Sequence, residues 1–166
     1  MKQVNHQAKE MSDNISKHIT LYEATYSETA IRLGLRNTPT TKEELDAMKL
    51  VAEKVFEPLR EHFGVAIGIS SFFRCYMLNK RVGGSKTSDH VKGRSIDIDA
   101  DIYGKITNKQ IFDYIKDNLE FDQLIWEYGT DENPNWVHVS YKSKGNRNQV
   151  LRVEKVNDKS QYTIIH

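Results

Sequence analysis

The chain has 166 residues, enough for one compact domain that removes about 70% of its unfolded surface from water without disulfide staples. Hydrophobic residues make up 38% and charged residues 28%, which excludes a disordered polyampholyte, and no apolar run approaches the roughly 20 residues that span a membrane. With 24 Lys and Arg against 23 Asp and Glu the net charge is +1, so composition offers no footprint for nucleic acid.

Residues 1–14 are polar and aperiodic and are expected to form a flexible tail, leaving 15–166 as a single domain. Met1 to Glu10 carries no apolar signal-peptide region, so synthesis in the cytoplasm is expected. Glu23 to Leu33, followed by Gly34, predicts one short helix. Thr41 and Glu44 form a capping-box pattern, and Leu45, Met48, Val51, Ala52, Val55, Phe56, Leu59 and Phe63 recur at helical spacing. Pro58 lies inside this run and should kink the helix near Lys54. Val65 to Phe72 predicts a strand, and Tyr76 to Val82 one or two helical turns closed by Gly83 and Gly84.

Ser95 to Ala100 alternates with period two, which puts Asp97 and Asp99 on one strand face and Ile96 and Ile98 on the other. Thr107 caps an amphipathic helix running to Leu119. Phe121 to Tyr128 and Trp136 to Tyr141 flank turn-forming residues and predict an antiparallel hairpin. Gln149 to Val156 and Tyr162 to Ile165 are expected as added edge strands. The predicted fold class is α+β, with N-terminal helices packed on a small antiparallel sheet.

One constellation carries chemistry. His90 sits in a Gly- and Ser-rich loop where packing does not call for an imidazole. Asp97, between Ile96 and Ile98, is a carboxylate in an apparent core strand, which costs several kcal/mol unless it is paired or ligates a cation. His138, between Val137 and Val139, points to the face opposite those valines. Two imidazoles and one carboxylate leave one coordination position free, as in a catalytic zinc site. With Cys75 the lone cysteine, any Cys-rich zinc module is excluded. Taken singly, each residue has an ordinary structural explanation. His6, His18, His62 and His166 are read as non-functional.

The surrounding residues add a resemblance. Ser70-Ser-Phe-Phe-Arg74, Leu78-Asn79, Gly83-Gly-Ser-Lys-Thr-Ser88-Asp-His90-Val-Lys-Gly93-Arg-Ser-Ile-Asp97-Ile98, Phe121-Asp-Gln-Leu-Ile125 and Trp136-Val-His138-Val-Ser140 resemble the D-Ala-D-Ala carboxypeptidase family of zinc peptidases. The likeness is closest to its short phage and bacterial branch and covers residues 15–142. It implies that His90, Asp97 and His138 hold Zn²⁺ and that Arg74 assists the substrate carbonyl and its developing oxyanion. It further implies hydrolysis of a bond in peptidoglycan stem peptides or cross-links. The enzyme would then be endolysin-like, acting on the bacterial wall after release. Ser88 and Gln123 are candidate substrate-binding residues, and Asp99 a candidate to orient His90.

The chain departs from the family pattern at one place. The acidic residue expected three positions before the last histidine is Asn135, an amide that cannot accept and return a proton. Glu127, on the partner strand of the hairpin, is a candidate replacement if the register turns it to the metal, since a one-residue slip would turn it away. Asp131 or Glu132 is a further candidate, and the chain could also have no efficient base. In that last case it would be a zinc-stabilised murein-binding or virion-associated module instead of an enzyme.

Overall fold

The structure is a computed structural model that describes residues 14–165. The expected tail lies outside the described residues except for Asn14, which forms an isolated antiparallel bridge with Thr20. Thr20 then caps α1 (Leu21–Thr25), accepting from the Glu23 backbone while the Glu23 carboxylate accepts from its own. A second helix, α2 (Glu28–Arg32), follows at once. The single helix expected over 23–33 is therefore two. Tyr26 is extended, and the Ser27 hydroxyl accepts from the Ala30 N–H, a local bond that restarts the helix on a new axis.

The predicted capping box of Thr41 and Glu44 opens α3 (Lys42–Val51). The next turn, Ala52–Phe56, widens to π geometry before α4 (Glu57–Phe63) continues. This is how the chain accommodates Pro58. The Glu57 N–H bonds to the Ala52 carbonyl five residues back, and the proline falls in the first turn of α4, where its missing N–H costs little. The expected kink is thus a one-turn bulge.

Strand β1 covers only Gly68–Ser71, shorter than expected, and is followed by α5 (Tyr76–Arg81), a 3-10 turn at Asp89–Lys92 and β2 (Ser95–Asp99). Helix α6 (Asn108–Asn118) has the predicted Thr107 cap. Strands β3 (Gln123–Glu127) and β4 (Trp136–Ser140) form the predicted antiparallel hairpin, and β5 (Gln149–Val156) and β6 (Lys159–Ile164) complete the sheet.

The six strands run in the order β1-β2-β4-β3-β5-β6. Helices and strands are interleaved along the chain, and the sheet is not wholly antiparallel, because β5 pairs with β3 in parallel and lies inside the sheet. Asp122 explains that placement. Its side chain is fully buried and paired with Lys142 at 2.9 Å and Arg147 at 2.6 Å, while its carbonyl accepts from the Gln149 N–H. The crossover 141–148 is thereby tied to the start of β3, and the next strand must leave from that end in the same direction.

One face of the sheet is apolar. Ile96, Ile98, Leu124, Trp126, Val137 and Val139 pack with Met48, Val51, Val55, Phe56, Ile111 and Ile115 of the helices. Burying a side chain of this size contributes about 1.5–3 kcal/mol, so this layer is the main source of stability. The opposite face carries Asp97, His138 and Glu127, with Ile125, Leu151 and Val153 as a smaller apolar cluster beside them.

Candidate metal centre and substrate cleft

The register of the central strands builds the site. Asp97 of β2 pairs with His138 of β4, and His138 pairs with Ile125 of β3. Directly paired residues share a face, so Asp97 and His138 stand side by side on the polar face while Ile96, Ile98, Val137 and Val139 go into the core. The alternation of β2 was correctly legible from the sequence for this reason.

His90 arrives from the 3-10 turn before β2. That turn is seated on α3 through Gly93, whose φ of +68° suits glycine, and a Cβ there would lie 2.5 Å from the Glu44 carbonyl oxygen. The His90 Nδ1–H donates to the Phe72 carbonyl at 2.6 Å, which turns Nε2 toward Asp97 at 3.2 Å. His138 presents Nδ1 to the same Asp97 oxygen at 2.7 Å. Donor atoms of His90, Asp97 and His138 all lie within 4.8 Å of one another.

These residues fit a metal ion. The donor set is two nitrogens and one carboxylate oxygen, and the Phe72 carbonyl fixes the tautomer of His90 in the manner of an outer-shell partner. Burial disfavours ionisation of Asp97, but the charges and hydrogen bonds of the two imidazoles outweigh it and hold the carboxyl well below its usual range. Burial also pulls His90 down, whereas at His138 the hydrogen bond and charge of Asp97 outweigh burial and lift the imidazole.

The cluster lies in a cleft of about 610 Å³. Arg74 lines it with its guanidinium 3.5 Å from Asp97, and the buried Nε has no partner among the described residues. Ser88 and Gln123 line it too, although the Gln123 amide already donates to Gln149 at 2.7 Å. Asp99 does not orient His90. Its carboxylate accepts from the Asp101 backbone and from Asn108, and the Phe72 carbonyl takes the orienting position.

Glu127 faces the cleft. It pairs with Trp136, one step diagonally from His138 on the same face, and is only 8% exposed. Burial, assisted by the Asp97 charge and opposed by His138 and Arg74, raises its carboxyl to about 7. Asn135 is exposed and does not line the cleft. Asp131 pairs with Arg152 at 2.7 Å and Glu132 is exposed, so neither loop carboxylate reaches the site. His18 is bonded to Glu57 and His62 stacks on Tyr114, both away from the cleft, while His6 and His166 lie outside the described residues.

Tyr128, Leu151, Ser160 and Tyr162 also line the cleft without having been singled out from the sequence, and Trp136, part of the quoted Trp-Val-His motif, lines it too. Trp136 had a signal, since it precedes His138 by two in a strand. The Phe72 carbonyl had none, being a backbone group, and Tyr162 had none, because its place depends on how β5 and β6 join the sheet.

A polar cleft in which a candidate metal-ligand set and a buried carboxyl share one sheet face has the make-up of a metal-dependent hydrolase. A family model described as Peptidase M15 matches residues 17–140, and the chain belongs to this family, the D-Ala-D-Ala carboxypeptidase family of zinc peptidases. The matched segment takes in β1 to β4 and ends before β5. No curated protein matches the chain.

Proposed function

We propose that this protein hydrolyses a peptide bond in peptidoglycan stem peptides or cross-links, with residues 15–166 acting as one peptidase domain. Convergence of His90, Asp97 and His138 at the floor of a cleft carries this reading, with Glu127 on the same face. Those three residues would hold Zn²⁺. The bound ion would supply Lewis acidity and a water whose pKa is lowered to about 7. Glu127, with a carboxyl near neutrality, takes the proton of the attacking water and passes it to the leaving amine. Arg74 faces the growing negative charge on the carbonyl oxygen with a fixed cation. Ser88 and Gln123 contact the peptide.

An endolysin-like enzyme that meets the wall after release is the finer form of this reading, and it is supported by the family and by the motifs around Ser88, His90 and Asp97. Among the described residues no helix is long and apolar enough to cross a membrane. A murein-binding module without turnover was motivated by Asn135, and Glu127 in the cleft weighs against it. Incubation of purified sacculi with the zinc-loaded protein decides between them. New amino termini or free D-Ala, lost on chelation, are the expected result, whereas binding without release would overturn the peptidase.

A further inference from the structure

The family match stops at residue 140, yet the cleft does not. Leu151, Ser160 and Tyr162 of the β5–β6 hairpin form one of its walls. The register places them there. Glu127 pairs with Val153, and Val153 pairs with Tyr162, so the three form one row on the polar face. Glu127 and Tyr162 are thus two strand spacings apart, about 9.5 Å, with only a valine between them. The hairpin is also tied by side chains to the end of β3. The Tyr128 hydroxyl bonds to Ser160 at 2.9 Å, the Lys155 ammonium lies over the Tyr128 ring, and that ring packs on Trp136 with centroids 5.4 Å apart.

Tyr162 is 56% exposed, and its hydroxyl has no hydrogen-bond partner among the described residues. Partial burial and the nearby Glu127, Tyr128 and Asp97 raise its pKa, so near neutral pH the phenol keeps its proton and acts as a donor. Arg74 is the one Lys or Arg among the residues lining the cleft, and it faces Asp97. The Lys155 ammonium stands nearby over Tyr128, on the same face as Ser160 and Tyr162. A peptide laid along this wall offers backbone carbonyls as acceptors for the Tyr162 donor.

We propose that the β5–β6 hairpin forms a peptide-binding subsite in which the Tyr162 hydroxyl donates to a backbone carbonyl of the substrate. Tyr162 is therefore a substrate-binding residue. This rests on the peptidase reading above.

Steady-state kinetics of the zinc-loaded full chain on purified cross-linked muropeptides test it, with Tyr162→Phe as the variant. One hydrogen bond contributes about 0.5–1.5 kcal/mol, so KM should rise roughly 2- to 12-fold, with kcat changed by less than about twofold. Zinc content and melting temperature should match the wild type. An unchanged KM overturns the proposal, and so does a loss of zinc or a lower melting temperature, since either would make Tyr162 a structural residue. Absence of turnover in the wild type is a different outcome. It defeats the peptidase reading, and this inference with it.

Discussion

The backbone N–H of Asn135 donates to the carbonyl of Glu127 at 2.9 Å. The two residues that bear on the general base are thus neighbours across the end of one hairpin, and they face opposite ways: Asn135 toward solvent, Glu127 into the cleft. The amide stands at position 135 and the acidic group at 127, where burial raises its carboxyl to about 7.

Removing that carboxyl should cost rate and little else. Glu127→Gln keeps the shape of the side chain and loses the proton acceptor, so kcat should fall by about 10²- to 10⁴-fold with zinc content unchanged. Asn135→Asp, added to that variant, should not restore activity, because position 135 does not line the cleft. Both are read by release of amino termini from sacculi, and a Glu127→Gln enzyme at wild-type rate would remove Glu127 from the mechanism.

The three ligands should bind metal as a set. His90→Ala leaves one imidazole and a buried carboxylate with fewer partners, so elemental analysis should find the variant without zinc. Because a bound ion stabilises the folded state alone, chelation should lower the melting temperature of the wild type and leave that of His90→Ala unmoved. Full zinc occupancy in His90→Ala would refute the ligand assignment.

Asp122 makes stability depend on acid. Burial alone would raise its carboxyl, but hydrogen bonds and charge from Arg147 and Lys142 outweigh it and pull the group from 3.8 to about 2. A carboxyl lowered on folding stabilises above its unfolded pKa, and that contribution fades as pH falls from about 4 toward 2. The difference amounts to about 2 kcal/mol. Urea titrations should show Asp122→Asn less stable than wild type by about this much at pH 7, with the gap narrowing below pH 4. A gap that does not change with pH would remove Asp122 as its source.

Gly93 holds the turn that presents His90. Alanine there meets both the positive φ and the Glu44 carbonyl oxygen, so Gly93→Ala should lose about 1–3 kcal/mol in denaturant titration. Zinc affinity should drop with it, because His90 moves with the turn. Wild-type stability would show that α3 yields to the added methyl group.

Local patterns in the sequence set the direction of the candidate ligand side chains and the strongest elements. The spacing of Ile96, Asp97 and Ile98, and of Val137, His138 and Val139, sets which way each side chain points once the segment is a strand, because alternation is a property of the backbone alone. The capping boxes at Thr41 and Thr107 likewise act within four residues. Tertiary structure decided what depends on register between distant segments: that Glu127 and not Asn135 faces the cleft, that Phe72 orients His90, and that β5 joins β3 in parallel and brings Tyr162 over the site. A shift of one residue in any pairing exchanges the two faces of a strand. That choice is made by buried contacts such as Asp122 with Arg147, which no short stretch of chain contains.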